Sequence, residues 1–536
     1  ELMPISFLRG AAFAGLAAAC IGVAAPALAE TELTAFKQAV AVAAAQDDAI
    51  AAFYRDRDYA PFWTSADGEA RRRALVTVLQ EAPAQGLPAA RYDVGRLVET
   101  FQDARTQRGI GRAEVAAMRM YLDYAHDASR GVLTPGAVVS DIKRKLDRPA
   151  PATLIAGLAE ASSPLAYLRG LSPQNPEYAR LMREKIRLER LIAEGGWGAE
   201  IGAGGKIEPG QSGPRVVALR NRLIAMGYLP RIATRTYDAT VQKAVQAFQF
   251  DHGLNADGIV GPSTREELDV SAERRLRSVL VAMERERWLG NARGDRHVLV
   301  NIADFHASIV DHGETVFETR SVVGRNARDY RTPEFSDMMN HMVVNPTWNV
   351  PRSIAVREYL PKFQNNPNAA GHLMLVDGAG RVVTRAAVDF SQYTASNFPF
   401  DLKQPPSNGN ALGRVKFMFP NRYNIYLHDT PSKSLFNRET RAFSHGCIRL
   451  SDPFDFAYAL LAGQTDDPKG LFQSKLRSGR ETRVNLDPPL PVHLIYRTAM
   501  GKPKGRMQYR RDIYGRDGAI FDALQAAGVA LPEVQG

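Results

Sequence analysis

Cysteine is nearly absent from this 536-residue chain, which holds only Cys20 and Cys447. A disulfide framework is thereby excluded as a source of its stability. Blocks of five or six like charges are also missing, which argues against a polybasic tail for nucleic acid. Beyond the first 29 residues no stretch approaches 18 consecutive apolar residues, so the mature chain is expected to have no membrane span. What is present is the composition of an ordinary globular protein, 45% hydrophobic and 24% charged. A single core stops growing at about 250–300 residues, so several domains are expected. Lys plus Arg (68) exceeds Asp plus Glu (58), a net charge of +10. That surplus favours an anionic partner without choosing one.

Residues 1–29 read as a signal peptide: a short basic start ending at Arg9, an apolar stretch Gly10–Ala25, and Ala27-Leu28-Ala29 as the small-x-small cleavage pattern. Cleavage is expected between Ala29 and Glu30, giving an exported protein. Lipidation at Cys20 is the weaker alternative, because the apolar run continues past it and Ala stands where such sites prefer Leu. An uncleaved anchor is disfavoured by a run that is rich in Ala and Gly and barely long enough to span. The mature chain then holds one thiol, Cys447, in an oxidising compartment. A lone thiol there is either buried and inert or chemically employed.

The fold class expected is multidomain α + β. Residues 30–200 read as a helical domain, with apolar spacing near 3.6 at Leu75, Val78 and Leu79 and at Met118, Leu122 and Ala125. Breaks fall at Gly86–Pro88, Gly131–Pro135 and Ser172-Pro173. A Gly-rich stretch, Gly195–Gly205, reads as a linker to a small unit at 207–270. Residues 271–295 hold a return helix with Leu276, Val279, Leu280 and Met283 on one side. From Arg296 the residues alternate and are β-branched, giving a β-rich domain over 296–500. Within it about 352–406 is too long for a simple connection and reads as a capping segment poised to move as a lid. Residues 501–536 form a short tail ending in a helix near Ala519–Ala527.

Two sets of residues carry chemistry. The 207–270 unit contains Pro209-Gly210, Val216, Leu219, Leu223, Gly227-Tyr228, Tyr237-Asp238, Val241, Val245, Phe248-Gln249, His252-Gly253-Leu254, Asp257-Gly258, Gly261 and Thr264. In this order they resemble the three-helix peptidoglycan-binding module of cell-wall enzymes, although nearly all of them serve packing. The sharper set is Tyr426-Leu-His428-Asp-Thr-Pro431 followed by Phe443-Ser444-His445-Gly446-Cys447-Ile-Arg449-Leu450. Together with Val344–Pro351, Asn410–Asn421 and Asp512–Asp517 it resembles the L,D-transpeptidase (YkuD) catalytic domain, in the large periplasmic YcbB-like branch. The helical region, where Tyr54, Trp63 and Leu171–Tyr178 fit, would then be a scaffold.

The residues have a rationale of their own. Attack on a peptide carbonyl needs a thiolate, and a thiol with a pKa near 8.5 needs a base beside it. His428 supplies the imidazole that takes the thiol proton and returns it to the leaving amine. A histidine on a neighbouring strand can sit directly opposite Cys447, whereas His445, two residues away along one strand, is awkwardly placed; it would shape the turn or assist at the oxyanion. Cys447 alkylation is expected to begin below the free-thiol pKa. Gly446 would let backbone amides approach an oxyanion. Arg449 would stabilise the thiolate or hold a substrate carboxylate. Ser444, Tyr426 and Trp348 are read as substrate-binding, although Trp348 and Tyr426 fit a core equally well.

Taken singly, each histidine reads better as structural and Cys447 as a buried small hydrophobe. Jointly, in this order and with these flanks, they read as a site. A zinc site from His428, His445 and Cys447 lacks the usual carboxylate or second thiolate, so no metal and no cofactor is expected. His297, His306, His312 and His341 read as structural or exposed.

The resemblance implies that Cys447 attacks the carbonyl at the third residue of a peptidoglycan stem, usually diaminopimelate, and expels the terminal D-alanine. The side-chain amine of another stem would resolve the acyl-enzyme into a 3-3 cross-link, and carbapenems would inhibit. The alternatives are an L,D-carboxypeptidase, transfer to another amine such as one on an outer-membrane protein, and a non-catalytic wall-binding scaffold.

Overall fold

The computed structural model describes residues 34–503 and 505–531. The expected signal peptide and Cys20 lie outside the described residues. Among those described, no helix is long and apolar enough to cross a membrane. The chain order is helices, a three-helix module, one long helix, a β-rich domain, then a hairpin and a last helix.

In the first region the helices Gly68–Glu81 and Gln107–Arg130 bury Leu75, Val78 and Leu79, and Met118, Leu122 and Ala125. Tyr54 and Trp63 pack in the same core. Its buried Glu114 accepts from the Tyr54 hydroxyl at 2.6 Å and from the Phe62 and Trp63 amides at 3.0 Å each. A buried carboxylate is tolerated when its lone pairs are taken up in this way.

The module's helices are Pro214–Ala225, Ala239–Asp251 and Pro262–Leu268, closed over Leu219, Leu223, Val241, Val245 and Phe248. Gln249 braces the Asp257-Gly258 turn, its amide nitrogen donating to Asp257 Oδ1 at 2.8 Å and its oxygen accepting from the Gly258 amide at 2.8 Å. The stretch read as a linker is instead pinned. Trp197 and Ile201 are buried, and the Ile201 amide donates to Asp269 Oδ1 at 2.7 Å.

The helix Ala272–Leu289 has the expected apolar side, but its charged end is buried as well. Glu284, Arg285, Glu286 and Arg287 are all 6% exposed or less. Unpaired, such groups would each cost several kcal/mol. Each has a partner: Arg287 pairs with Glu284 at 2.8 Å, Glu286 with Arg293 at 2.6 Å and with Arg497, and Arg285 with Glu334. Glu334 also receives Arg516 from the last helix at 2.9 Å. The tail is therefore no appendage. Its helix Arg516–Ala526 buries Ile520, Phe521 and Leu524 against this central helix.

The β domain is a sheet that closes on itself. Its order is Ala442–Ser444, Glu314–Gly324, Ile448–Leu450, Leu427–His428, Val415–Met418, Phe335–Val344, Thr482–Ile495, Arg296–Asn301 and His306–Asp311, and the last strand returns to pair with Glu314–Gly324. Alternate residues such as Val298, Val300, Phe417, Leu427, Ile448 and Val492 fill the interior. The cap is a folded unit of its own. Strands Trp348–Asn349, Asp401–Gln404, Met374–Val376 and Val382–Val383 form a separate sheet, with a core of Trp348, Leu360, Phe363, Phe390, Phe398 and Leu402. It begins and ends several residues outside the expected 352–406, because its first strand starts at Trp348 and its core reaches Leu412.

Candidate active site

Three short strands set the side chains in place. Leu427–His428 runs parallel to Ile448–Leu450, with His428 beside Arg449, and antiparallel to Val415–Met418, with His428 beside Lys416. In-register residues project to one face, so Lys416, His428 and Arg449 form a row. The Ile448 amide donates to the Tyr426 carbonyl at 3.1 Å, which sets Cys447 level with Tyr426. The expectation of His428 directly opposite Cys447 is thus corrected: Arg449 holds that place, and Cys447 is the diagonal neighbour. Among the described residues no hydrogen bond joins the two. The thiol donates to the Asn424 carbonyl at 3.4 Å. Asn424 sits at φ +55° in a turn braced by Asn421, whose Nδ2 donates to the Phe419 and Ile425 carbonyls at 2.6 and 2.8 Å.

His428 is buried, and its Nδ1 donates to the Asp429 carbonyl, which leaves Nε2 as the lone-pair acceptor. Burial, then the positive charge of Arg449, holds its pKa down at about 3. Cys447 lies recessed in the cavity and burial pushes its thiol up to about 11, against the pull of Tyr426 hydrogen bonds and the charges of Arg449 and Lys416. Burial thus favours a neutral thiol beside a neutral imidazole at rest, against the expectation of a thiol reactive below its ordinary value. Burial, followed by the nearby Cys447, drives the Tyr426 phenol well above its usual value, so it remains a donor.

The loop that carries Cys447 is shaped from below. Gly446 adopts φ +116°, and a Cβ there would lie 3.2 Å from Ile425 Cδ1. Its amide donates to Ser444 Oγ at 3.1 Å, and Ser444 Oγ donates to the Cys447 carbonyl at 2.6 Å. The Gly446 amide is thus already engaged, and buried Ser444, read as substrate-binding, has its hydroxyl committed to the turn. Thr332 Oγ1 donates to the Gly446 carbonyl at 2.7 Å. His445 turns away from the thiol: its Nε2 meets Glu358 Oε1 of the cap at 2.5 Å, and its ring lies edge-on to Tyr330 at 5.0 Å.

Lys416, Tyr426, His428, Ser444, Cys447 and Arg449 line the floor of a cavity of about 920 Å³, roofed by cap residues Trp348–Pro351, Ser353, Ile354 and Arg357–Tyr359. Trp348 is 9% exposed; it belongs to the cap core and touches the cavity only at its edge. Tyr426 faces the cavity with its ring 5.6 Å from the His428 ring. Because His428 and His445 point to different partners, they do not converge with Cys447 on one ligand position. Among the described residues no group of three or more His, Cys, Asp or Glu side chains is arranged to hold a metal. The sequence reading missed Lys416 and Glu358. Lys416 lies inside Asn410–Asn421, where its alternation with Val415 and Phe417 was the available signal; nothing local marks Glu358.

Residues 48–184 match the model of a scaffold domain, 212–268 that of a peptidoglycan binding domain, and 295–471 that of the L,D-transpeptidase catalytic domain. A Haemophilus influenzae protein whose name is that of an L,D-transpeptidase is 35% identical over 227 residues, which is 42% of this chain and 45% of that protein. The chain thus matches under half the length of this curated relative. Among solved structures, an L,D-transpeptidase from Xylanimonas cellulosilytica is similar at 19% identity, over 55% of this chain and 98% of that one, with a TM-score of 0.16. A fused Zn-dependent amidase/peptidase with a peptidoglycan-binding domain from Clostridium acetobutylicum follows at 12% identity, 55% and 100% coverage, with a TM-score of 0.15. At such scores neither likeness bears on the argument.

Proposed function

We propose, from the premise that this chain joins an L,D-transpeptidase catalytic domain to a scaffold and a peptidoglycan-binding domain, that it is a cysteine transpeptidase forming 3-3 cross-links between peptidoglycan stems in the periplasm. The observation that carries the reading is the position of Cys447, His428 and Arg449 together on the floor of one cavity inside the matched catalytic region.

Burial raises the thiol pKa and lowers the imidazole pKa, which favours a proton that moves as the sulfur attacks. Cys447 Sγ bonds to the carbonyl carbon of the third stem residue while its proton passes to His428 Nε2. The C–N bond then breaks, and His428 returns the proton to the departing amine of the terminal residue. A second stem's amine attacks the thioester and gives a proton to His428; the C–S bond breaks, and the Cys447 sulfur takes that proton back from His428 as it leaves. The developing oxyanion needs donors; among the described residues the Cys447 amide has no internal acceptor, and Arg449 contributes positive charge. Carbapenems, which present a strained carbonyl to the same sulfur, would acylate Cys447.

Product analysis of purified muropeptides tests this. The wild type should convert tetrapeptide stems into 3-3 dimers with release of the terminal residue, and Cys447→Ala should form none while melting at the same temperature. Tripeptides without dimers would make the enzyme an L,D-carboxypeptidase. Unchanged substrate, with no carbapenem adduct on Cys447, would leave only a wall-binding scaffold.

A further inference from the structure

Two cations stand in the active-site cavity with no acidic side chain in ion-pair contact, although the Glu481 carboxylate acts on Lys416 from beyond that distance. Lys416 and Arg449 flank His428 on its two neighbouring strands, and both line the cavity that holds Cys447. Among the described residues neither has an acidic side chain within ion-pair distance, although most arginines around the central helix do. Arg449 Nε is buried without a hydrogen-bond partner. Lys416 Nζ lies 5.8 Å from the centre of the Tyr426 ring, near the outer limit of a cation–π contact. Burial lowers the pKa of both. Holding two half-buried like charges on either side of His428 is costly unless an anion joins them.

We infer that Lys416 and Arg449 together form a carboxylate-binding subsite that receives the free α-carboxylate of the residue leaving the donor peptide. This deepens the transpeptidase reading and rests on it. The geometry suits that carboxylate. A terminal residue places its carboxylate carbon three bonds from the scissile carbonyl carbon, and Arg449 is two residues beyond Cys447 on the strand, about 6.5–7 Å along the backbone. A carbonyl held on the sulfur thus brings the terminal carboxylate toward the row formed by Lys416, His428 and Arg449. The departing amine lies between that carboxylate and the sulfur, on the side where His428 can return its proton. The pair therefore both selects a chain end and orients the leaving nitrogen, and a donor whose carboxylate is masked loses both effects.

The first test needs no turnover. Iodoacetate and iodoacetamide alkylate the same thiolate and differ in carrying a carboxylate or a carboxamide. Their rate ratio at Cys447 therefore cancels the thiolate fraction and reads the anion site. In the full-length wild type the ratio should exceed that of glutathione at the same pH and salt by about tenfold. In Lys416→Met it should fall at least threefold, Lys416→Arg should restore it, and 0.5 M salt should compress it. A wild-type ratio equal to that of glutathione, or one that Lys416→Met leaves unchanged, overturns the subsite. The second test compares tetrapeptide donors ending in a free acid or a carboxamide. Lys416→Met should lower kcat/KM about tenfold for the acid, mostly through KM, and less than threefold for the amide. Equal losses on both donors would show that Lys416 acts through the thiol, overturning its role toward the leaving carboxylate. If the alkylation ratio behaves as expected while neither donor is transferred or hydrolysed, the transpeptidase reading fails and the anion site stands.

Discussion

Raising the pH over the isolated protein probes the resting state of the Cys447 thiol. The ordinary thiol value is 9.0 and burial carries Cys447 to about 11. At pH 8 the first would be roughly one-tenth ionised and the second roughly one-thousandth, a ~100-fold difference in reactive thiolate. Alkylation of Cys447 by iodoacetamide, followed by intact mass, should therefore be about 100-fold slower at pH 8 than for a small thiol of ordinary pKa. The logarithm of its rate should climb with unit slope from pH 7 to at least pH 10 without a plateau.

His428 sharpens the expectation. With its pKa near 3 it does not titrate between pH 5 and 8, so no inflection should appear near 6.5, and His428→Ala should leave the shape of the curve unchanged while abolishing peptide turnover. A resting thiolate–imidazolium pair would behave otherwise. It would give a plateau of fast alkylation beginning below pH 8, and His428→Ala would move it upward. Either result would refute the neutral-pair reading and the sequence of proton transfer built on it.

Two further outcomes follow from the cap contact and from a buried histidine. Glu358→Gln keeps the size of the cap residue that meets His445 at 2.5 Å but removes its charge; with both side chains 30% exposed the contact is worth about 1 kcal/mol after screening, so hydrogen exchange over 352–365 should quicken about fivefold, and unchanged exchange would show that the contact does not hold the cap. His493 is buried with a pKa lowered to about 3, first by burial; the folded state then binds fewer protons than the unfolded one below about 6.5, so its stability contribution is lost as pH falls from 6.5 toward 3, by about 2 kcal/mol at pH 5. Urea unfolding from pH 7.5 to 5 should be flatter in His493→Gln, and parallel curves would sink the assignment.

What could be read from the sequence and what could not divide along the range of the contacts. Cys447, Gly446 and Arg449 are local to one turn and strand, and their order alone placed them together. The helix Ala272–Leu289 was legible through Leu276, Val279, Leu280 and Met283, yet its Glu-Arg-Glu-Arg end resembles a solvated face. Glu334 and Arg497 at long range, with Arg293 just beyond its end, make that run a buried one. The cap's limits were misplaced for a similar reason, since Trp348–Asn349 becomes a strand by pairing with Lys403 and Gln404, more than fifty residues later. The register of Leu427–His428 was out of reach as well. A strand of two residues carries no periodicity, and the difference between facing Cys447 and facing Arg449 is set by pairing across the barrel.

The same long-range logic connects the end of the chain to the nucleophile. Arg516 donates to the Thr332 carbonyl at 2.8 Å and to Glu334 at 2.9 Å. Thr332 Oγ1 in turn donates to the Gly446 carbonyl at 2.7 Å and accepts from the Gly324 amide at 2.9 Å. The Tyr514 hydroxyl donates to the Gly324 carbonyl and accepts from the Thr332 amide. Asp512–Asp517, distant from Cys447 in sequence, is thus the underside of the loop that carries it. Because Glu334 is shared with Arg285, the central helix anchors to the same point. That helix also packs on Pro176–Ala193, through Leu181 and Leu188. A loop with a glycine at φ +116° and a recessed thiol gains little from its own short strands. Its geometry is held by groups from the central and terminal helices, so these helices contribute to the preorganisation of the cavity floor.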